Sequence, residues 1–291
     1  MASSKRNKSE KKPKLIVIFP IYNGERTMQK TLENIANQTF KDFEGIICEN
    51  QSTDASLKIA KAFCKKDKRF SVHEFEEHAG PIDNFTRSLE LVKGKSEYVC
   101  IRACDDLSSD NFLEELVSAL DQNPSKDVAV CDDWRILNSK VTVMRHRPVI
   151  LDMPNAIRER RAPSRLYFPS DWFYMMYRNN SAIDVLQVRL KELGTAWCVA
   201  SYVLADFVLR GKICYTPNAH FECYRGTQSK NIYKPKGFLN QAKARFAYFK
   251  GCYKIWKRTD TQDIISRLII ANIAWRDSGY KTGYRIQLFK K

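Results

Sequence analysis

Short apolar runs alternate along the first half of the chain with amphipathic stretches. Residues 14–19 read Lys-Leu-Ile-Val-Ile-Phe, an unbroken apolar run that suits a parallel strand covered on both faces. Pro20 to Gly24 reads as a turn. Glu25 to Gln38 follows as a helix with Met28, Leu32, Ile35 and Ala36 on one face. The pattern then predicts a strand at 43–48, a helix starting on Gln51-Ser-Thr-Asp54 and running to Cys64, and a short strand at 70–75. A helix is predicted over 83–92, stopped by Gly94, then a strand at 98–103, a helix over about 109–122, and strands at 128–131 and 141–145. Residues 146–180 break the rhythm, being rich in Arg and Pro and then in aromatics. They read either as core or as a lid or platform facing a second substrate. Beyond them the pattern predicts a helix over 197–209, strands at 213–215 and 219–224, an amphipathic helix carrying Phe238, Ala242, Phe246, Phe249, Tyr253 and Trp256, and an apolar segment at 264–275. Strand–helix alternation of this kind implies an α/β fold with a largely parallel sheet flanked by helices.

Charge divides the chain differently. The net charge is +16 over 291 residues, yet 1–14 holds six basic residues against one acidic, and 230–291 holds fifteen against three. Residues 15–229 are therefore close to neutral. Two basic ends imply an anionic partner, either membrane or nucleic acid. The nine cysteines show no Cys-x-x-Cys spacing, which implies reduced thiols rather than a disulfide framework. No apolar stretch approaches the roughly 20 residues of a membrane span, and residues 1–14 lack the apolar core of a signal peptide.

The sharpest chemical feature is Asp105-Asp106, placed where the strand at 98–103 ends. Ligands of open parallel sheets bind beyond the carboxyl ends of the strands. Two adjacent carboxylates there repel unless a cation or donors offset them, and a hard divalent metal holding a diphosphate does so. A second acidic pair, Asp132-Asp133, is a rival that reads as acceptor-side or structural. Asp54 reads as a helix-start residue and His220 as a structural histidine.

Several fragments in order resemble family 2 nucleotide-sugar glycosyltransferases of GT-A fold. They are Ile18-Phe-Pro-Ile-Tyr-Asn-Gly-Glu25, Asn37 to Glu44, Glu49-Asn-Gln-Ser-Thr-Asp54, Asn84-Phe85, Gly94 and Cys104-Asp-Asp106. Looser matches follow at Leu204 to Gly211 and at Tyr224-Arg225 with Ser229. The resemblance implies a Rossmann-like, mostly parallel mixed sheet with a basic helical C-terminal appendage. The implied boundaries are a disordered basic arm at 1–13, a GT-A domain at 14–229 (nucleotide-sugar half 14–135, acceptor half 136–229), and a basic helical region at 230–291. Pro20, Tyr22, Glu25 and Asn84 would belong to the nucleotide pocket, and Glu49 and Asn50 would read the base. Asp105 would hold ribose or metal, Asp106 would bind Mn2+ or Mg2+, and Arg225 would contact diphosphate or acceptor. An inverting mechanism needs an Asp base on the acceptor hydroxyl.

The chain departs from this pattern at three points. Cys104 replaces the first carboxylate of the D-x-D motif. Asn50 stands where an Asp often reads uracil. Ser201 aligns with the catalytic Asp, which leaves Asp206 and Asp171 as candidate bases. Three readings follow. The first is a metal-dependent inverting transferase with a nucleotide-sugar donor, UDP-sugar favoured, and a glycan or lipid-linked acceptor, working in cell-surface polysaccharide assembly. It would be cytoplasmic and peripheral on the inner, anionic membrane face, with no specific nucleic acid partner. The second is a nucleic-acid-binding protein using the basic ends. The third is a degenerate nucleotide-binding scaffold.

Overall fold

The computed structural model describes residues 12–144, 148–163, 165–224, 233–259 and 263–282. The basic arm and the Arg225 and Ser229 positions lie, wholly or almost wholly, outside these residues. β1 (Leu15–Ile21) is buried along nearly its whole length, as its unbroken apolar run requires. Then follow α1 (Met28–Ala36), β2 (Phe43–Glu49), α2 (Ser56–Lys66), β3 (Phe70–Glu74), α3 (Pro81–Val92), β4 (Tyr98–Ile101), β5 (Leu107–Ser108) and α4 (Phe112–Gln122). The second half adds β6 (Val128–Leu137), β7 (Lys140–Met144), α5 (Met153–Arg158), β8 (Met176–Arg178), α6 (Ser181–Glu192), α7 (Val199–Leu209), β9 (Ile213–Tyr224), α8 (Phe238–Trp256) and α9 (Ile264–Thr282).

The sheet runs β3-β2-β1-β4-β8-β6-β9-β5, with β7 on β6. β1 lies between β2 and β4, both parallel to it, while β5, β7 and β8 are antiparallel to their neighbours. Strand order therefore reverses beside β1, and the crevice at its carboxyl end is where such sheets take ligands.

Several boundaries differ from the pattern, each for a local reason. α1 starts at Met28 and α2 at Ser56 because the residues before them are used in loop-to-loop hydrogen bonds. The two short strands expected at 213–215 and 219–224 are one strand, β9. Its pairing with β6 slips between Val130 and Asp132, so Thr216 to Ala219 bulge out and accommodate Pro217. The irregular 146–180 stretch packs as core through Phe168, Trp172, Phe173 and Tyr177, all nearly inaccessible, while Tyr167 stays exposed. α6 was not visible in the sequence pattern.

The C-terminal helices pack against the domain. α8 buries Tyr248, Gly251, Cys252, Ile255 and Trp256, a face that overlaps the aromatic stripe only in part, and leaves Phe238 and Phe246 exposed. A Cβ on Gly251 would lie 2.4 Å from the Tyr202 hydroxyl, so only glycine lets α8 approach α7 this closely. Trp197 Nε1 donates to the Lys281 carbonyl at 2.6 Å, Lys254 pairs with Glu192 at 2.9 Å, and the Tyr248 hydroxyl donates to Asp277. No helix among the described residues is long and apolar enough to cross a membrane.

Candidate active site

The loops after β1 and β2 are laced together. Thr53 N donates to Asn23 Oδ1 at 2.8 Å, and Asn23 N donates to Ser52 Oγ at 3.1 Å. Gly24 N donates to Ser56 Oγ at 2.8 Å. Ala55 N donates to the Glu25 carboxylate and Glu25 N to Asp54, a reciprocal pair. This explains the residue types in Tyr-Asn-Gly-Glu and Gln-Ser-Thr-Asp: each short polar side chain satisfies an orphan amide of the neighbouring loop. Asn23 can do so at φ +54 because Asn tolerates that region. Glu25 therefore serves the rim itself. Glu49 is similar, buried and accepting from the amides of Gln51 and Ser52 at 2.9 and 2.7 Å.

Asn50 is also committed internally. Its amide donates to Ala79 O at 2.9 Å, and its oxygen accepts from Ala79 N at 2.8 Å and from Arg87. The side chains of Glu49 and Asn50 are thus spent on holding the neighbouring backbone, where the sequence expectation had them reading a base. Tyr22 is exposed, with its ring 4.3 Å from the His78 ring. His78 Nδ1 lies 3.1 Å from Asn50 O. Pro20 lies near the end of β1, and Asn84, buried on α3, faces the Arg87 guanidinium at 3.4 Å. Arg87 is itself stacked on Phe75 at 3.7 Å. His78 and Arg87 were missed by sequence reasoning; the only signal was Arg87 one helical turn after Asn84.

Asp105 and Asp106 sit at the switch point. Asp106 is almost fully buried, and its Oδ1 accepts from Tyr224 N at 3.0 Å. Burial, and then the charge of Asp105, pushes its carboxyl up to about 7. Arg102, completely buried over the rings of Phe112 and Phe221, donates to the Asp106 carbonyl at 3.1 Å. Cys104 lies under the β1 loop: a Cβ on Gly24 would meet its Sγ at 3.0 Å. Burial pushes that thiol up to about 12, so Cys104 does not replace the missing carboxylate as an anion. Among the described residues no three His, Cys, Asp or Glu side chains converge on one point. Two carboxylates do fit a Mg2+ or Mn2+ ion, since such ions take few protein ligands and complete their shell with water and phosphate oxygens.

Beside the acidic pair lies a cavity of about 370 Å³, lined by Phe85, Ser170, Phe173, Tyr174, Ser201 and Lys281 among others. Tyr174 forms the shared wall: it is partly buried, and both Asp105 and Asp106 act on its hydroxyl. Ser201 sits in the first turn of α7, whose N-cap Cys198 has φ +59. Its hydroxyl is buried and has no hydrogen-bond partner among the described residues.

The two base candidates differ in their neighbours. Asp206 is buried between Arg189, at 2.7 Å, and Arg210, with one oxygen on each. Like Asp171, it does not itself line the cavity and has both oxygens engaged; unlike Asp171, it has no cavity-lining residue beside it in the chain. Asp171 is next to the cavity residue Ser170, whose hydroxyl donates to it at 3.0 Å. Arg135 holds its other oxygen through two bonds of 2.8 Å, and Asp106 feels its charge. Asp132 accepts from the Tyr215 hydroxyl at 2.6 Å and Asp133 is buried 3.8 Å from Arg135, so this second pair is structural. His220 stacks on Trp134 at 3.7 Å, and its Nε2 lies 3.2 Å from Glu222.

Comparison with known proteins bears on the family and the fold. The model of glycosyl transferase family 2 matches residues 16–185. Over 145 residues the chain is 32% identical to the putative glycosyltransferase EpsE of Bacillus subtilis, covering 48% of this chain and 51% of that protein. It is 32% identical over 114 residues to glycosyltransferase GlyG of Streptococcus pneumoniae, covering 39% and 37%. The matched stretch thus spans about half or less of these relatives. The fold resembles that of S. aureus TarS 1-349 in complex with UDP-GlcNAc, with a TM-score of 0.67, 17% identity, and coverage of 96% of this chain and 76% of that one. It also resembles the mannosyltransferase PcManGT from Pyrobaculum calidifontis in complex with GDP-Man and Mn2+, with a TM-score of 0.55, 16% identity, and coverage of 94% and 73%.

Proposed function

The chain belongs to glycosyl transferase family 2 and has the GT-A fold, and on that premise we propose that it moves a sugar from a nucleotide-sugar donor to a glycan or lipid-linked acceptor with inversion at the anomeric carbon. The observation that carries this reading is the acidic pair at the switch point, Asp106 buried and Asp105 partly exposed, set between the laced nucleotide rim and a cavity of sugar size. Tyr22 and His78 flank the base, with UDP-sugar the first donor to test. Asp106 and Asp105 would hold Mn2+ or Mg2+. Bound there, the ion supplies charge neutralisation to the departing nucleoside diphosphate. Asp171 takes the proton of the acceptor hydroxyl as the new C1–O bond forms and the C1–diphosphate bond breaks. Arg135 fixes the orientation of Asp171 for this step. Transfer and donor hydrolysis measured with UDP-, GDP-, CDP- and dTDP-sugars test the reading; absence of both with every donor contradicts it.

A second reading has one observation in its favour. Ser201 occupies the position where the family pattern carries its base, so the chain would bind donor without turning it over. Ser201→Asp separates the two: newly acquired transfer marks a protein lacking only its base, whereas unchanged or lower transfer supports Asp171.

The finer setting is cell-surface polysaccharide assembly at an anionic inner membrane face. The outer face of the α8–α9 hairpin supports this, exposing Lys243, Lys250, Lys257, Arg258, Arg267 and Arg276 beside Phe238, Leu239, Phe246, Ile264 and Leu268. Co-sedimentation with anionic but not neutral vesicles checks it, and retention on nucleic acid instead favours the other partner class.

A further inference from the structure

A second cavity, of about 210 Å³, adjoins the first and shares Lys281 with it. Its lining brings together three cations from distant parts of the chain: Arg135 on β6, Arg165 in the irregular segment, and Lys281 near the end of α9. Their states differ. Arg135 is neutralised by Asp171 at 2.8 Å and more weakly by Asp133 at 3.8 Å. Arg165 is exposed and has no ion-pair partner among the described residues, nor does the Lys281 ammonium. Lys281 is fixed in place through its carbonyl, which accepts from Trp197 Nε1 at 2.6 Å. Burial depresses its ammonium, partly offset by Asp277 and Asp171, so its charge is incompletely compensated. The same cavity carries Tyr167 and Tyr280, whose rings are 4.4 Å apart and about half exposed. Two guanidinium groups, an ammonium and an open aromatic pair are the chemistry that holds an oxyanion next to a sugar ring.

We propose that this cavity is the acceptor subsite and that it selects a glycan bearing an oxyanion, either phosphate or carboxylate, on the residue next to the one being extended. Arg165 and Lys281 engage the anion, and Tyr167 and Tyr280 pack on the ring. The Arg135–Asp171 pair joins this subsite to the proposed base, so a bound anion places the acceptor hydroxyl toward Asp171. The inference rests on the transferase reading.

The test is calorimetric titration of the full chain with sn-glycerol 3-phosphate, glucuronate and glucose, with UDP plus Mn2+ titrated in parallel. Wild type, Arg165→Gln and the remote control Lys58→Gln are compared. Arg165 is exposed, so its substitution leaves folding intact, which thermal unfolding verifies. One anionic probe binding where glucose does not, with Arg165→Gln about tenfold weaker and Lys58→Gln unchanged, supports the subsite, and the probe that binds identifies phosphate or carboxylate. Equal behaviour of anionic and neutral probes, or equal loss in both variants, overturns it. Arg165-dependent anion binding without any UDP binding keeps the anion site but overturns its role as an acceptor subsite, because the transferase reading then fails.

Discussion

Residues 14–135 and residues 136–282 build one sheet by opposite means. In the first stretch, polar side chains near the site are spent on one another. Asn23, Glu25, Glu49, Asn50 and Asp54 all bond to backbone amides of nearby loops, and the Tyr22 ring stands exposed beside them. In the second stretch the groups that face the cavities are left open. Ser201 has a buried hydroxyl with no partner among the described residues, and Lys281 and Arg165 have no ion pair there. A rim held by its own hydrogen bonds suits a constant ligand such as a nucleotide. Uncompensated groups on irregular chain suit the partner that varies, the acceptor.

Four predictions break or sharpen that contrast. The largest concerns the second stretch: Asp171→Asn lowers the turnover of transfer by about 10²–10⁴-fold while nucleotide affinity stays within about twofold, the loss typical of a removed base. Steady-state kinetics beside UDP titration check it, and an equal loss with Asp206→Asn would instead mean that both act through folding. Next, Gly251→Val costs about 1–3 kcal/mol of stability by forcing α8 away from Tyr202, read as a lowered denaturant midpoint with unchanged slope. A neutral result would show that the hairpin is a loose appendage.

The third is a pH dependence set by Asp106. An acid whose folded value lies above its unfolded value holds its proton more tightly when folded. In metal-free protein this group therefore contributes stability at low pH that is lost as pH rises through about 7. A cation needs the charged form, so Mn2+-dependent UDP affinity moves the other way and rises by about tenfold from pH 6 to 8. Asp106→Asn removes the slope. The smallest is Asn23→Ala, which loses the Thr53 bond and strains φ +54, for about 1–2 kcal/mol in stability and a modest loss of UDP affinity. Asn23→Gly should recover part of the stability, because it restores the backbone freedom alone.

How far the sequence could be read follows the same division. β1, β2, β4 and the acidic pair were legible because an apolar run covered on both faces has one reading, and because carboxylates at a strand end demand compensation. Glu49 and Asn50 were located correctly, but their side chains turn toward loop amides that no local pattern reveals. The aromatic stripe on α8 is only partly a core face: Trp256 is buried, while Phe238 and Phe246 are exposed. Phe246 and Phe249 lie against Trp275 of α9, while the contact with α7 falls on Gly251, a residue invisible to a hydrophobic pattern. Residues 146–180 could not be parsed because their elements, 3₁₀ turns, a six-residue helix and a three-residue strand, are too short to leave a period. Lys281 and Arg165, far apart in sequence, become neighbours only through the packing of α9.

The most direct test of the central claim is a calorimetric titration of UDP, with and without Mn2+, on wild type and Asp106→Asn. Tightening by Mn2+ in wild type, abolished by the isosteric substitution with thermal stability retained, is the predicted result. Equal affinity with and without the ion, or tightening that survives in Asp106→Asn, would contradict a switch-point acidic pair that holds the donor.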